Sequence, residues 1–439
     1  MAPESDPIHE DELRDAWPVL APRDRVEGFR LLPPSSADDF FLSLSSNDQA
    51  GLLQALTPSE RRIWMRVLPP DDAADVIQSL PVEEHAACLA LLDDTSRREV
   101  QVLLAYAEDA AGGLMNPRFV RVRPEMSIDE ALGYLRRQAR EQVETVYSAY
   151  VLDSEQHLLG VVSLRQLFQA APGKTVRDVM RTEPVTVRED AHQEGVSRLF
   201  AEHGLSAIPV VDAQGRMRGI VTVDDIVSVV QEEATEDIQK VGGMEALDAP
   251  YFDVGFFAMV RKRAGWLLVL FVSEMLTATA MSRYQDEIAR AVVLSLFVPL
   301  IISSGGNSGS QATTLIIRAL ALTDVRLRDW WRVLRRELLS GLVLGAVLGT
   351  VGLARILLWQ HLFHSYGEHA SRVALTVGLS VLGVVTWGTL SGAMLPFVLR
   401  RLGFDPASAS APFVATLVDV SGLVIYFTTA ELLLRGTLL

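Results

Sequence analysis

The stretch SSGGNSGSQ, Ser303 to Gln311, places small and polar residues inside a strongly apolar segment. The residues PLII precede it and TTLIIRALAL follow it. In hydrocarbon, irregular backbone is tolerated only where it is buried in protein or lines a watery cavity. A second apolar segment, PFVATLVDVSGLVIYF over 412–427, contains one acidic residue, Asp419. Because an ionisable side chain at membrane depth usually faces a pathway or a partner, the two stretches together predict a polytopic membrane protein with a path for cations.

Charge is distributed unevenly along the 439-residue chain. Residues 1–250 contain 44 acidic and 24 basic side chains, a net charge of −20, whereas residues 251–439 contain 11 and 16, a net charge of +5. The first part is therefore expected to be soluble and the second to lie in a membrane. So acidic a soluble part disfavours nucleic acid as a partner and favours divalent cations. The single cysteine, Cys88, excludes an internal disulfide and a zinc site built from cysteines.

Five apolar segments reach or nearly reach the roughly 20 residues that a membrane span requires. They are 266–282, 288–322 with the polar stretch inside it, 338–359, 373–399 and 411–434. Basic residues cluster before the first segment, between the second and third, and between the fourth and fifth. Such clusters remain on the cytoplasmic side, which also places residues 1–250 there and the C-terminus outside. Residues 251–263 resemble a short interfacial helix that leads into the membrane.

The soluble part begins with a region, 24–110, that the pattern predicts to be entirely helical. Pro58, Pro70 and Pro81 are each followed by acidic residues and then by apolar residues at helical spacing. Thr57 to Glu60 has the form of a capping box with proline at the first helical position. The short spacing favours a stacked helical repeat, and a plain helical bundle is the alternative.

Residues 115–234 contain an internal repeat. The stretch YVLDSEQHLLGVVSLRQLF corresponds to the later stretch PVVDAQGRMRGIVTVDDIV. The pattern of each copy predicts a helix, a strand, a turn, a strand and a helix. The repeat resembles a tandem pair of CBS domains, a family that often binds adenine nucleotides through a Ser/Thr-x-x-Asp motif. The second copy keeps that motif as Thr222 and Asp225, whereas the first has Ser163 followed by Gln166. A packing module without a ligand is the alternative interpretation.

An acidic segment, QEEATEDIQKVGGMEALD, follows the repeat. Glu232, Glu233, Glu236 and Asp237 crowd one short helix, where like charges three and four residues apart repel each other. A solvated acidic face is the simple interpretation. A divalent ion that bridged these carboxylates would relieve the repulsion, so the segment is also compatible with a cation-sensing switch.

Several membrane residues allow more than one interpretation. The glycines of SSGGNSGSQ permit either a pore-lining turn or a packing kink, and Asn307 with Gln311 favours the former. Gly341, Gly345 and Gly349 form a small-residue ridge typical of helix packing. Asp419 either lines the path or pairs with an arginine, although no predicted span has a basic residue at mid-depth. Glu274 could line a path, pair internally, or lie near the end of a short first span.

Six stretches taken together resemble the MgtE family of magnesium channels or transporters. They are YAEDAAGGLMNPRFV, the CBS pair, ATEDIQKVGG, PLIISSGGNSGSQATTLIIRALA, GAMLPFVLRRLGFDP and PFVATLVDVSGLVIYF. The resemblance covers nearly the whole chain in order. It implies a multidomain fold, comprising an all-α N-terminal helical-repeat domain (1–114), an α/β tandem CBS pair (115–231), a connecting plug helix (232–250) and a five-helix α transmembrane domain (251–439).

The resemblance also implies a homodimer whose pore runs along the dimer axis, mainly between the second and fifth membrane helices. By motif, Asp419 matches the ion-selecting aspartate, Asn307 a pore-lining asparagine, and Asp405 an acid near the cytoplasmic mouth. At Ala411, relatives have a polar asparagine, so one contact of the pore wall is expected to be missing.

A Mg²⁺ sensor in the soluble part is implied as well. The residues that match its acidic positions are Glu194, Asp225, Glu233, Glu236 and Asp237. His192, Gly204 and Ser228 stand where acids are expected. Fewer carboxylates should weaken the binding of Mg²⁺ to the closed state, so we expect weaker or differently tuned gating with intact permeation.

The resemblance thus implies a homodimeric Mg²⁺ channel in the inner membrane that admits Mg²⁺ passively and closes when cytosolic Mg²⁺ is high, with ATP as a candidate modulator. No P-loop motif for nucleotide hydrolysis is present, and no enzymatic site stands out. One alternative is a transporter with broader selectivity that includes Mn²⁺ or Co²⁺. The other is a membrane-anchored protein whose CBS pair senses nucleotide.

Overall fold

The computed structural model describes residues 9–139, 143–247, 251, 254–322 and 324–438. The chain divides into two compact units, residues up to 232 and residues from 233 onward. The first unit combines helices with two small sheets, and the second is entirely helical in its described part.

The described residues from 10 to 103 form mainly short helices, as predicted. They are α1 (Glu10–Ala16), α2 (Pro22–Arg30), α3 (Pro34–Leu42), α4 (Ser46–Ala55), α5 (Pro58–Val67), α6 (Pro70–Gln78), α7 (Val82–Leu89) and α8 (Asp94–Leu103), with a 3₁₀ turn at Trp17–Val19. Thr57 and Glu60 form the predicted capping box of α5. Fully buried aromatic and aliphatic side chains such as Phe40, Phe41 and Ile77 hold these helices around one core.

The repeat folds into two similar halves. After α9 (Ala111–Leu114), the first half contains β1 (Arg121–Val122), α10 (Ile128–Gln138), β2 (Ser148–Leu152), β3 (Leu158–Ser163) and α11 (Leu164–Gln169). The second contains α12 (Val176–Val179), β4 (Val187–Arg188), α13 (Gln193–His203), β5 (Ala207–Val211) and β6 (Met217–Thr222).

The two sheets share strand order and register. In each, a two-residue strand pairs in parallel with the first strand of an antiparallel hairpin. Each hairpin is irregular at the equivalent position, between Val151 and Leu152 in one and between Val210 and Val211 in the other. The same strand order and the register shift at equivalent positions confirm the CBS-like repeat.

The acidic segment does not form a helix of its own. Helix α14 runs without a break over Val223–Val241, so the residues predicted as a plug helix over 232–250 are partly the continuation of the last helix of the repeat. The helix is followed by Gly243, whose positive φ of 76° turns the chain. The predicted boundary at 231 falls inside this helix, and the domain division remains a prediction.

Among its described residues, the second unit contains five helices long and apolar enough to span a membrane, as predicted. They are α15 (Phe256–Arg283), α18 (Val298–Ala321), α19 (Trp330–Phe363), α20 (Ala370–Arg401) and α21 (Ala411–Leu434), with the short α16 (Gln285–Arg290) and α17 (Val292–Ser295) between the first two. Helix α15 is longer than the predicted span 266–282. Residues 252 and 253 lie outside the described residues, and from Phe256 onward the expected interfacial segment 251–263 is continuous with α15, so its interfacial position stays a prediction.

The glycines of SSGGNSGSQ do not break the second span. Helix α18 continues through Ser303–Gln311, so the expectation of irregular backbone there is wrong. A Cβ on Gly305 would lie 2.5 Å from Val384 Cγ1, and one on Gly392 would lie 2.1 Å from the carbonyl oxygen of Gly309. These glycines therefore let α18, α20 and α21 approach closely, in the same way as Gly341, Gly345 and Gly349 let α19 pack on α20.

Candidate ion path and carboxylate sites

Asp419 is the ninth residue of α21 and is half-buried. Helix α18 lies beside it, because a Cβ on Gly306 would be 3.8 Å from Asp419 Oδ1 and 3.4 Å from Ala415 Cβ. Within the part of the chain that the structure describes, no side chain forms a hydrogen bond or an ion pair with Asp419. The interpretation as half of an internal ion pair therefore receives no support here.

Some polar side chains of α18 form hydrogen bonds to neighbouring helices, whereas Asn307 is exposed. Ser310 Oγ donates to the carbonyl oxygen of Ala411 (3.1 Å), and Thr313 Oγ1 donates to that of Gly392 (2.8 Å). These two side chains are satisfied by neighbouring helices. Asn307 is exposed, and its Nδ2 reaches only Ser303 Oγ at 3.4 Å. An exposed amide at this depth can exchange hydrogen bonds with water that accompanies an ion.

Glu274 is exposed near the middle of α15. Its carboxylate is close enough to that of Asp419 to interact electrostatically. The structure thus brings a second acidic side chain toward the one that the sequence singled out.

Asp405 has an internal partner. Its Oδ1 accepts a hydrogen bond from the backbone of Ala407 (2.8 Å), and its Oδ2 lies 2.7 Å from Lys240 Nζ. Lys240 also pairs with Glu236 one turn earlier on α14. Burial lowers the pKa of Lys240, but the bonds to Asp405 and Glu236 outweigh burial and raise that pKa above its usual value. The cation beside Asp405 is therefore a lysine ammonium.

The end of α14 is attached to the start of α21. A Cβ on Gly243 would lie 2.9 Å from the Trp266 ring and 3.2 Å from Pro412. Trp266 Nε1 donates to Ser410 Oγ (3.1 Å), and Ser410 accepts from the Phe413 amide as the N-cap of α21. A displacement of the α14 end would consequently act directly on the helix that contains Asp419.

The first unit contains a group of carboxylates of which the sequence analysis identified only Asp225. Asp71, Asp72 and Asp75 lie on α6 and interact electrostatically with Asp225 at the start of α14. Glu144, from the loop before β2, is close enough to affect Asp71. The available signal was PDDAAD over 70–75, since acids at these positions alternate with buried alanines on a helix that belongs to the core.

These carboxylates have strongly perturbed pKa values. Burial, reinforced by neighbouring acids, raises the pKa of Asp72 to about 6 and that of Glu144 to about 7. Burial likewise raises the pKa of Asp225 to about 6, and the pKa of buried Asp71 lies well above its usual range. Asn116, itself buried, donates from Nδ2 to Asp71 (3.0 Å) and to Glu144 (2.6 Å).

The carboxylate group does not present a finished metal site. Among the described residues, no three histidine, cysteine, aspartate or glutamate side chains converge as direct ligands of one ion. A hydrated Mg²⁺ needs no such convergence, because it keeps several waters and accepts one or two carboxylates. The raised pKa values reflect burial first and neighbouring acids second, and a bound divalent cation would stabilise the ionised carboxylates.

The remaining predicted sensor residues are dispersed. Glu194 is exposed and accepts from Arg198 (2.8 Å), and Glu233 and Asp237 are half-buried on α14. His192 is the N-cap of α13 and lies 3.3 Å from Asp109, and Gly204 ends that helix with a φ of 58°. The two departures from acidic residues thus have local structural roles. Ser228 is exposed on α14.

The predicted nucleotide motif acts locally as a helix cap. Thr222 Oγ1 donates to Asp225 Oδ2 (2.7 Å), and the Thr222 amide donates to the same oxygen (3.2 Å). In the first repeat, Ser163 and Gln166 form the equivalent capping box, so the change from aspartate to glutamine preserves the cap. The acidic neighbours of Asp225 disfavour a phosphate group beside it. Nucleotide binding at Thr222 and Asp225 remains a prediction.

Three family models match the chain. The one described as MgtE, divalent cation transporter, matches residues 298–429, and the one described as MgtE intracellular N domain matches residues 8–109. The CBS domain model matches twice, at 111–173 and 176–232.

Curated relatives and a solved structure are also similar to the chain. The magnesium transporter MgtE of Thermus thermophilus is 43% identical over 78% of this chain and 74% of the relative. The magnesium transporter MgtE of Enterococcus faecalis is 33% identical over 77% of this chain and 72% of the relative. A crystal structure of the cytosolic domain of the Mg²⁺ channel MgtE in complex with ATP is 41% identical, covers 51% of this chain and 90% of that chain, and has a TM-score of 0.47.

Proposed function

Because this chain belongs to the MgtE family of magnesium transporters, we propose that it is a Mg²⁺ channel through which the ion flows passively into the cell. It is a multi-pass membrane protein with a cytoplasmic N-terminal domain, and its family is one of transporters rather than enzymes. The direction of flow follows from the membrane potential, which draws cations inward and requires no coupled hydrolysis.

The observation that carries the proposal is Asp419, an acid within a span that no described side chain neutralises. An uncompensated carboxylate in a membrane is costly unless water or a cation reaches it. Gly306 of α18 leaves space on one side of Asp419, and Asn307 supplies an amide one residue further along. Mg²⁺ gives up its water reluctantly, so we expect a largely hydrated ion whose waters donate hydrogen bonds to the carboxylate.

The proposal extends to assembly and location. We propose a homodimer in the inner membrane, with α18 and α21 of both copies around one axis and the C-terminus outside. Two copies would place two Asp419 side chains around a single ion. An odd number of spans supports this orientation, since the N-terminal domain is cytoplasmic.

Regulation by cytosolic Mg²⁺ is the second element of the proposal. At neutral pH, the crowded carboxylates Asp71, Asp72, Asp75, Glu144 and Asp225 repel one another, and bound Mg²⁺ would stabilise the arrangement that holds them together. Glu233, Glu236 and Asp237 are proposed to contribute on α14. The absence of acids at His192, Gly204 and Ser228 should make Mg²⁺ a weaker inhibitor than it is for a fully acidic sensor. ATP remains a candidate modulator, supported only by the CBS motif.

Mg²⁺ uptake into proteoliposomes without internal Mg²⁺ tests the proposal. We expect uptake by the wild-type protein and its loss with Asp419→Ala. Glu431→Ala is a matched control, because Glu431 is an exposed acid on the same helix, and it should preserve uptake. Equal uptake with Asp419→Ala and wild type would place the path elsewhere. Competition by Mn²⁺ or Co²⁺ in the same vesicles distinguishes a Mg²⁺-selective channel from one of broader selectivity.

A further inference from the structure

Glu274 is an acidic residue within a membrane span, and it has no role in the proposed function so far. It lies near the centre of the 28-residue helix α15 and is exposed in the single chain. Among the described residues, none forms a hydrogen bond or an ion pair with it. Charged side chains within spans rarely face lipid and usually face a water-filled cavity or a partner.

The packing of α15 on α21 determines the depth of Glu274. The Trp266 ring lies 6.4 Å from that of Phe413, and further along both helices the Tyr284 ring stacks on that of Phe427 at 4.8 Å. The two helices therefore run in parallel. At 1.5 Å per residue, Glu274 is about 12 Å beyond Trp266 and Asp419 is about 9 Å beyond Phe413. The two carboxylates thus lie at nearly the same depth, in agreement with their electrostatic interaction.

On α15 and α21, basic residues lie far from the depth shared by Glu274 and Asp419. The nearest ones on α15 are Arg263 and Arg283, which are 11 and 9 residues away from Glu274. Along the helix axis these separations correspond to about 16 and 13 Å. Helix α21 contains no basic residue. Two carboxylates at one level without an internal cation attract a mobile cation more strongly than either does alone.

We propose that Glu274 is a second ion-binding residue of the Mg²⁺ path, acting at the level of Asp419. This inference rests on the proposed function and adds a residue to it. Asp419 binds the waters of the passing ion, while Glu274 increases the local concentration of divalent cations on the α15 side. Each subunit then contributes two carboxylates instead of one, which favours divalent over monovalent cations.

The first test compares Glu274→Gln with wild type in Mg²⁺ uptake as a function of external Mg²⁺. We expect the half-saturating Mg²⁺ concentration to rise about tenfold, because one of the two charges that attract the ion is removed. The maximal rate should change less than twofold, and Glu274→Asp should restore most of the affinity. Because a charge in a span is costly in hydrocarbon, we expect Glu274→Gln to fold as the wild type does. Glu368→Gln, a change at an exposed acid between α19 and α20, is the matched control and should leave uptake unchanged.

A second test does not depend on transport. Cys88 is the single cysteine, so Glu274→Cys in a Cys88→Ala background presents one thiol. A charged, water-soluble thiol reagent should modify it at least tenfold faster than Val272→Cys, whose side chain is also exposed (63%) but lies on the opposite side of α15.

The outcomes separate the two proposals. An unchanged half-saturating concentration in Glu274→Gln, or equal thiol reactivity at positions 274 and 272, overturns the role of Glu274. Loss of uptake in Asp419→Ala with unchanged kinetics in Glu274→Gln would leave the proposed function intact and refute only this inference. Absence of uptake in the wild type refutes the proposed function, and the thiol experiment still decides whether Glu274 faces water.

Discussion

The carboxylate group of the first unit predicts that Mg²⁺ binding releases protons. Carboxylates with raised pKa values are partly protonated near neutral pH, and a bound divalent cation stabilises their ionised forms. Mg²⁺ must therefore displace protons from Asp72, Asp225 and Glu144. By the same linkage, the apparent affinity for Mg²⁺ should fall as the pH decreases through 7 to 6.

The magnitude follows from the three pKa values of about 6, 6 and 7. At pH 6.5, about a quarter of Asp72, a quarter of Asp225 and three quarters of Glu144 are protonated, so these groups together hold about one proton. At pH 8.5 they hold less than about 0.1 proton. From these three groups we therefore expect the proton release at saturating Mg²⁺ to be about one proton larger at pH 6.5 than at pH 8.5.

A pH-stat titration of the full-length protein in detergent or nanodiscs measures this release directly. Glu144→Gln should reduce the release at pH 6.5 by about three quarters of a proton. The matched control is Asp190→Asn, because Asp190 is an exposed acid whose pKa is lowered by its bonds to Arg188 and which is therefore already ionised. Equal release at the two pH values, or an unchanged release in Glu144→Gln, would refute the assignment of these carboxylates to Mg²⁺ binding.

Three further predictions concern packing and internal pairing. Asn116→Ala should lower the free energy of unfolding of the soluble part by about 1–3 kcal/mol, because Asp71 and Glu144 lose their buried hydrogen-bond donor. Differential scanning calorimetry at pH 8 measures this loss. Gly388→Ala should reduce folded yield in size-exclusion chromatography, since its Cβ would lie 2.4 Å from the Gly305 carbonyl oxygen, whereas Gly352→Ala, with its nearest contact at 3.9 Å, should be neutral. Lys240→Gln should loosen the α14 end and accelerate Glu-C cleavage after Glu245 without Mg²⁺; an unchanged rate would contradict this.

Much of the architecture was predictable because it depends on local periodicity. The helices at Pro58 and Pro70 and the five spans each have a local signal in the sequence, and the CBS-like repeat is visible from two copies 59 residues apart. The same approach failed at SSGGNSGSQ. Glycine-rich polar sequence suggests irregular backbone, but the consequence of Gly305 depends on Val384 of α20 and Val418 of α21, which lie 79 and 113 residues further along the chain. In the folded chain these glycines allow close contact between helices, although the local sequence is typical of a turn.

The carboxylate group of the first unit was missed for a related reason. PDDAAD reads as the acidic first turn of an ordinary helix, where such residues are favourable. Only the fold shows that this helix lies in the core and that Asp225 and Glu144 approach it from distant parts of the chain. The motif-based sensor prediction included Asp225 but none of its partners on α6.

The acidic residues considered for ion binding have different neighbours, and the difference limits where a cation can act. Asp405 already has a cation, because the Lys240 ammonium lies 2.7 Å away and pairs with Glu236 as well. A Mg²⁺ ion at that place would have to displace Lys240, so Asp405 is a weaker candidate for an ion site than the sequence suggests. Asp71 and Glu144 accept hydrogen bonds from the amide of Asn116, Asp225 accepts from Thr222, and Asp419 has Glu274, another acid, nearby. The two places without an internal cation are thus the ones at which Mg²⁺ supplies charge that the described chain does not. This is the physical reason to assign regulation to the first unit and permeation to α21.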